Sequence, residues 1–191
     1  MTILSAIITP TNVLTASSTA TLTNKTIAFG SNTLTNVLSD NTAQTVTGTK
    51  SFAGTSSALG AILTDTAEVC TVSATAATGT INYDVTTQSV LYYTSNASAN
   101  WTVNFRGSSG TSLNTLMSTG QSLTVAFLVT QGATPYYNNA VQVDGNAVTP
   151  KYQGGTAWTA GNASGIDVYT YTIIKTGSAA FTILASQTQF K

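Results

Sequence analysis

A segment of twelve residues recurs along the first third of the chain, and this repeat constrains the fold more than any other feature. Set at intervals of twelve, residues 9–68 read TPTNVLTASSTA, TLTNKTIAFGSN, TLTNVLSDNTAQ, TVTGTKSFAGTS and, as a weaker fifth copy, SALGAILTDTAE. One position of every copy holds Asn or Gly, residue types that adopt turn conformations at low cost. The repeat therefore predicts equivalent turns at Asn12, Asn24, Asn36, Gly48 and Gly60.

Each copy of the repeat is too small to fold alone. Thr, Val and Ile favour extended chain, and twelve residues do not make a whole number of helical turns, so each copy predicts one short strand and a turn. A copy holds two or three apolar residues, such as Val13 and Leu14, too few for a core. We therefore expect residues 9–68 to form a β-structured stalk in which three identical chains intertwine around a shared core. A disordered Thr/Ser/Asn-rich linker is the alternative, although the strict phase favours order.

The residues before the repeat, 1–8, are mostly apolar and include Ile3, Leu4, Ile7 and Ile8. They carry no basic region and are too short to span a bilayer, so we expect neither a signal peptide nor membrane insertion. We interpret them as a segment that docks on a partner protein, with packing inside the chain as the alternative.

The pattern changes at residue 69. Aromatic and β-branched runs at 80–94, 100–105, 121–132, 167–177 and 180–190 are bounded by Asn, Ser and Gly, as short strands are. Asp144-Gly145 separates two alternating runs and predicts a type I′ hairpin turn, while residues 110–121 allow one or two helical turns. Trp101 alternates with Val103 and Phe105 and is assigned to the core. The sequence predicts an all-β chain whose residues 69–191 form an antiparallel β-sandwich or jelly-roll.

The charges and the scarcity of reactive side chains exclude several classes of function. Charged residues make up 6% of the chain against about 25% in ordinary domains, and six cations balance six anions, so neither nucleic acid nor an anionic membrane is an expected partner. There is no His and one Cys, Cys70, which we predict to be a buried apolar residue; no metal or other cofactor is expected. Because the carboxylates are isolated along the sequence, we expect no enzyme.

Aromatic and amide side chains in two Gly- or Asn-rich stretches are the remaining candidates for recognition. Exposed rings stack on the apolar faces of sugars while amides bond their hydroxyls, so the cluster predicts a glycan-binding surface. The same rings are also typical of core or subunit-interface packing, and both interpretations stay open. The candidate residues are Tyr136, Tyr137, Asn138, Tyr152 and Trp158.

Two parts of the sequence resemble proteins of tailed bacteriophages. TATLTNKTI (19–27), SNTLTNV (31–37) and QTVTGTKSFAG (44–54) resemble the stalk repeats of tail fibres and other fibrous virion proteins. The stretch from YYNNAVQVDGNAV to IDVYTYTIIKTG (136–177), followed by FTILASQTQFK (181–191), resembles a C-terminal domain common in structural proteins of phages infecting cyanobacteria and other aquatic bacteria. The resemblance implies a homotrimer on the virion and no catalytic residues.

The expected function is therefore that of a virion structural protein, a homotrimeric short tail fibre or appendage made in the host cytoplasm. Residues 1–8 would dock on other virion proteins, and the distal domain would contact the host surface, where a glycan is the expected ligand. Two alternatives stay open: a capsid decoration or head-spike protein, and a carbohydrate-binding module.

Overall fold

A computed structural model describes residues 49–64 and 66–191. The chain divides into two units, residues 1–61 and Ile62–Lys191. The predicted docking segment 1–8, the first three repeats and the start of the fourth lie outside the described residues. The intertwined stalk therefore stays a prediction.

The described part of the first unit contains a tight turn at Ser56 and Ser57. Thr55 and Ala58 form an antiparallel bridge around it, and the Thr55 amide donates to the Ala58 carbonyl at 2.9 Å. Gly60, one of the predicted turn positions, does not have a positive φ. Instead a Cβ at Gly60 would meet the Phe52 carbonyl oxygen at 2.5 Å, so glycine is needed there because two backbone segments approach closely.

The second unit is built from β-strands and one short helix. The predicted runs that begin at residues 100, 121, 167 and 180 each match one strand to within two residues, and the helix lies inside 110–121 as expected. The run at 80–94 instead contains two strands, and the strand Cys70–Ala76 was not predicted. The elements are β1 (Cys70–Ala76), β2 (Gly79–Asp84), β3 (Val90–Ser95), β4 (Trp101–Arg106), α1 (Leu113–Leu116), β5 (Ser122–Thr130), β6 (Asn138–Val143), β7 (Asn146–Ala147), β8 (Lys151–Tyr152), β9 (Ile166–Gly177) and β10 (Ala180–Phe190).

These strands form a six-stranded sheet in the order β1-β3-β5-β9-β10-β8 and a four-stranded sheet in the order β2-β4-β6-β7. From β1 to β6 the chain alternates between the two sheets after every strand. A chain that leaves a sheet and returns beside its previous strand runs parallel to it, and β1-β3, β3-β5, β2-β4 and β4-β6 are all parallel pairs.

The all-β prediction is confirmed for the described part of the chain, but the prediction of antiparallel sheets is wrong because both sheets are mixed. Antiparallel pairing joins β5 to β9, β9 to β10 and β6 to β7. The β6-β7 hairpin confirms the predicted turn, with φ of 51° at Asp144 and 79° at Gly145.

Side chains from both sheets meet in one apolar core. Trp101, Val103 and Phe105 are buried, as their alternation predicted, and the Trp101 ring lies edge-on to Phe127 of β5 and Tyr169 of β9. Strand β5 likewise buries Val125, Phe127 and Val129 on one face, as an alternating pattern requires.

Cys70 does not follow the prediction, because its side chain is exposed. It begins β1, which is the edge strand of the six-stranded sheet. No other strand covers the outer side of this edge among the described residues, so a small apolar side chain there is not enclosed.

Candidate functional site

The predicted recognition residues lie on two connections and two strands of the second unit. Tyr136 and Tyr137 end the connection between β5 and β6, Asn138 begins β6, Tyr152 ends β8, and Trp158 lies beyond it, before β9. The structure brings three of them together: the Trp158 ring lies 4.8 Å from that of Tyr152, and its indole N–H donates to the Asn138 carbonyl at 2.5 Å.

Trp158 is held mainly by packing against rings of the sheet. Its ring lies 5.2 Å from Tyr169 and 6.5 Å from Tyr171, both of which are fully buried on β9. T-shaped contacts of this kind stabilise by about 0.5–1.5 kcal/mol each beyond the burial of area. Three of the candidate residues, Tyr136, Tyr152 and Trp158, are partly buried and pack against the core.

Asn138 is only 3% exposed, and its amide is used inside the protein. The two hydrogens of Nδ2 are donated to the Trp101 and Ala140 carbonyls at 2.9 and 2.8 Å, and Oδ1 accepts from the Tyr171 hydroxyl at 3.0 Å. No donor of this amide is left for a ligand.

Tyr136 and Tyr137 are half-buried and held by their backbones. The Tyr136 amide donates to Oε1 of Gln131 at 3.0 Å, and the Tyr137 amide donates to Oδ1 of Asn100 at 3.0 Å. Neither residue lines the cleft beside Trp158. That cleft has a volume of about 170 Å³ and is lined by Tyr152, Gln153, Thr156, Trp158, Ala185, Ser186 and Gln187.

Asp167 organises the connections that carry these residues, and sequence reasoning missed this role. Its carboxylate is fully buried and accepts from Nε2 of Gln131 at 2.9 Å and from the backbone amide of Asn162 at 3.1 Å. Nε2 of Gln131 also donates to the Tyr136 carbonyl at 2.7 Å. One buried network thus fixes the segment before β6 and the segment before β9.

Burial raises the pKa of Asp167, and hydrogen bonds from Asn162, Gln131 and Tyr169 offset part of that effect. Burial also raises the pKa of Tyr169, as does the nearby charge of Asp167, and it raises that of Tyr171. These two phenols stay protonated at neutral pH, so they act as hydrogen-bonding core residues and not as acids or bases.

A signal for Asp167 was present in the sequence. Every second residue of β9 is buried, and Asp167 has the same parity as Tyr169, Tyr171 and Ile173. Lys175 continues that parity at the other end, and its Nζ donates to the Asn114 and Met117 carbonyls at 2.5 and 2.8 Å. A charged side chain at an inward-facing position of a strand needs buried hydrogen-bonding partners. Its presence in the sequence therefore predicts a polar network at that position.

Few charged groups converge in the described part of the chain. Arg106 and Asp84 form the ion pair there, on adjacent positions of β4 and β2, with Nε 2.5 Å from Oδ1. Within residues 49–64 and 66–191 no group of three or more His, Cys, Asp or Glu side chains could hold a metal ion. A search of the same residues finds no helix with the length and hydropathy needed to cross a membrane.

Comparison with known proteins found no family model, curated protein or solved structure that matches this chain.

Proposed function

We propose that the chain is a structural protein of a phage virion, in which three copies form a short tail fibre or appendage. Residues 1–8 dock on the particle, residues 9–68 form the shared β-structured stalk, and residues 69–191 form a distal β-sandwich head. The phased repeat and the resemblance to phage fibre proteins suggest this arrangement, and one structural observation carries it.

That observation is the exposure of large apolar side chains around the end of the repeat. In the first unit Phe52 is 67% and Leu59 81% exposed; in the second unit Ile62 is 84% and Leu63 76% exposed, and Val69 and Val72 are also exposed. Each such side chain gains about 1.5–3 kcal/mol when it is fully buried. A single chain does not gain this stabilisation, because the side chains stay exposed. Burial of these side chains between copies is therefore favoured.

The scarcity of charge supports the same conclusion. Between residues 51 and 64 there is no charged side chain, so identical segments can approach without electrostatic repulsion. Scattered single apolar residues are normal on a protein surface, but six within about twenty positions are not.

Imaging of intact particles tests the location. An antibody against the second unit, coupled to gold, is expected to label the tail or its baseplate. Label on the head instead would support a capsid decoration or head-spike protein, and purified particles that lack the chain would contradict both. Particles made with the gene deleted provide the control for antibody specificity.

A further inference from the structure

The outer side of four neighbouring strands in the six-stranded sheet carries no charge. Strands β1, β3, β5 and β9 contain two charged residues, Asp167 and Lys175, and both have the parity that points into the core. Every side chain that points outward from these four strands is therefore uncharged. We call this surface, formed by the outward positions of β1, β3, β5 and β9, the uncharged face.

One row of apolar side chains crosses the uncharged face without a break. The strand register places Val72 beside Tyr92, Tyr92 beside Leu128, and Leu128 beside Val168. Val72 is 64% exposed, and the other three side chains are only partly buried. Neighbouring side chains on one face of a sheet contact one another, so these four form a continuous apolar strip.

The adjacent row consists of small side chains. Cys70, Val90, Ala126 and Thr170 follow one another across the same four strands. Small and β-branched side chains leave the surface of the sheet even, and a second sheet can then approach to the usual distance of about 10 Å.

The outer side of the four-stranded sheet has a different character. There Arg106 of β4 pairs with Asp84 of β2, and Nδ2 of Asn104 donates to Oδ1 of Asn82 at 2.8 Å. Charged and amide groups of this kind are typical of a face that stays in water. The two outer faces of the second unit therefore differ in polarity, although the chain alternates between the sheets that carry them.

The apolar row is continuous with the exposed apolar residues that precede β1. Val72 is the first residue of the row, and Ile62, Leu63 and Val69 of the segment leading into β1 are also exposed. The proposed contact between copies at the end of the repeat thus leads directly onto the uncharged face.

The lack of charge also indicates which partner fits. A charged partner surface would lose hydration against this face without gaining an ion pair. A second copy of the chain presents the same uncharged surface. Around a symmetry axis each residue meets its own copies, so any charge placed there would face a like charge.

The size of the uncharged face is sufficient for a specific contact. With about 4.8 Å between strands and a rise of about 3.3 Å per residue, the four strands cover roughly 500 Å². Two copies that meet through this face bury roughly 1,000 Å² in total, which is the lower limit expected of a specific interface. Beyond β9, Lys151 of β8 lies beside Leu184 of β10 and forms a charged rim.

We propose that the uncharged face is the surface through which the second units of neighbouring copies contact one another. This inference rests on the proposed fibre, which brings the copies together, and it extends their contact from the repeat to the distal head. The apolar row from Val72 to Val168 forms the centre of the contact, and the outer side of the four-stranded sheet stays in water.

Photo-crosslinking of the full chain tests this surface. p-Benzoylphenylalanine in place of Tyr92 keeps an aromatic ring in the apolar row and, when irradiated, bonds to C–H groups that contact it. We expect covalently linked chains on a denaturing gel, with the new bond mapped by mass spectrometry to the second unit of another copy. The same substitution at Gln142, which is also half-buried but points outward from the four-stranded sheet, is the matched control and should give no linked chains.

A pair of lysine substitutions tests the role of the missing charge. Thr170→Lys puts a cation on the uncharged face, and we expect it to lower the yield of linked chains from position 92 about tenfold, because every copy then brings the same charge to the contact. Thr102→Lys changes an equally half-buried Thr on the outer side of the four-stranded sheet and should leave the yield unchanged. Thermal unfolding of each variant checks that it is folded.

The native mass separates failure of this proposal from failure of the fibre. The proposal is overturned, and the fibre stands, if the original chain is oligomeric but position 92 links no better than position 142. It is likewise overturned if folded Thr170→Lys links as well as the original chain. If the original chain is a monomer and neither position links, both proposals fail.

Discussion

Gly161 shows how tightly the segments around Asp167 are packed. A Cβ added there would collide with the Tyr136 carbonyl oxygen and lie 2.7 Å from Oδ2 of Asp167. Neither atom can withdraw easily, because one is backbone and the other is held in a buried network.

Gly161→Ala is therefore expected to lower the free energy of unfolding by about 1–3 kcal/mol, since overpacking forces the backbone to shift. Gly110→Ala is the matched control, because a Cβ at Gly110 meets nothing within 4 Å and φ there is not positive. The control should change stability little or raise it slightly. Urea denaturation of both variants checks this, and equal losses would contradict the packing described here.

Asp167 gives the protein a pH dependence with a definite sign. Because burial raises its pKa in the folded state above 3.8, folding favours the protonated carboxyl. The stability that this preference contributes is complete below the unfolded pKa and is lost as pH rises through the folded pKa.

Asp167→Asn removes this titration. The variant loses hydrogen-bond acceptor capacity, and this lowers its stability at every pH. As pH rises from about 4 towards neutral, its free energy of unfolding is nevertheless expected to increase relative to that of the original chain. Urea denaturation of both proteins at several pH values measures the difference. If the free energies of unfolding of the two proteins changed in parallel with pH, the pKa of Asp167 would be the same in the folded and unfolded states.

Sequence patterns predicted which residues face inward better than they predicted polar partners. The alternation of Trp101, Val103 and Phe105 identified core residues correctly because burial follows strand parity. Asn138 was proposed for a ligand, but its amide is used by Trp101, Ala140 and Tyr171, and the first and last of these lie 37 and 33 residues away in the sequence. Composition alone does not reveal such partners.

At the level of elements, α1 depends on a residue from another element. This helix has only four residues, and its first two amides, of Leu113 and Asn114, donate to the Asp144 carboxylate at 2.6 and 2.9 Å. Asp144 also forms the β6-β7 turn with φ of 51°. One side chain therefore connects the turn between β6 and β7 to the start of α1.

Asp144→Ala is expected to lower the free energy of unfolding by about 1–2 kcal/mol, because it leaves two helix amides without their acceptor and places Ala at positive φ. Asp144→Asn keeps an acceptor and tolerates that φ, so its loss should be smaller. Chemical denaturation of the two variants gives the comparison. If Asp144→Asn lowered the free energy of unfolding as much as Asp144→Ala, the stabilisation would come from the carboxylate charge and not from the geometry of the turn.

Strand direction was the part of the fold that the sequence did not reveal. Alternation fixes which face of a strand is buried, but it does not say whether the next strand pairs with it or crosses to the other sheet. Where a strong turn signal was present, at Asp144-Gly145, the antiparallel pair was predicted correctly. From β1 to β6 the chain alternates between the two sheets, and parallel pairs result.

At the level of the whole molecule, the exposed apolar residues around the end of the repeat are the feature that most needs explanation. Six large apolar side chains between Phe52 and Val72 lie open in the single chain, while charged residues make up only 6% of the sequence. A monomer with this surface would be prone to association. In a trimer that buries these side chains between its three chains, this apolar surface would no longer be exposed.

The mass of the native protein in dilute solution tests this most directly. Native mass spectrometry or sedimentation equilibrium at sub-micromolar concentration is expected to give three times the 19.6 kDa mass of one chain. Ile62→Asn together with Leu63→Asn should shift the population towards monomer, whereas Leu184→Asn, also an exposed apolar position, should not. A stable 19.6 kDa monomer of the original sequence at that concentration would contradict the shared core and the fibre built on it.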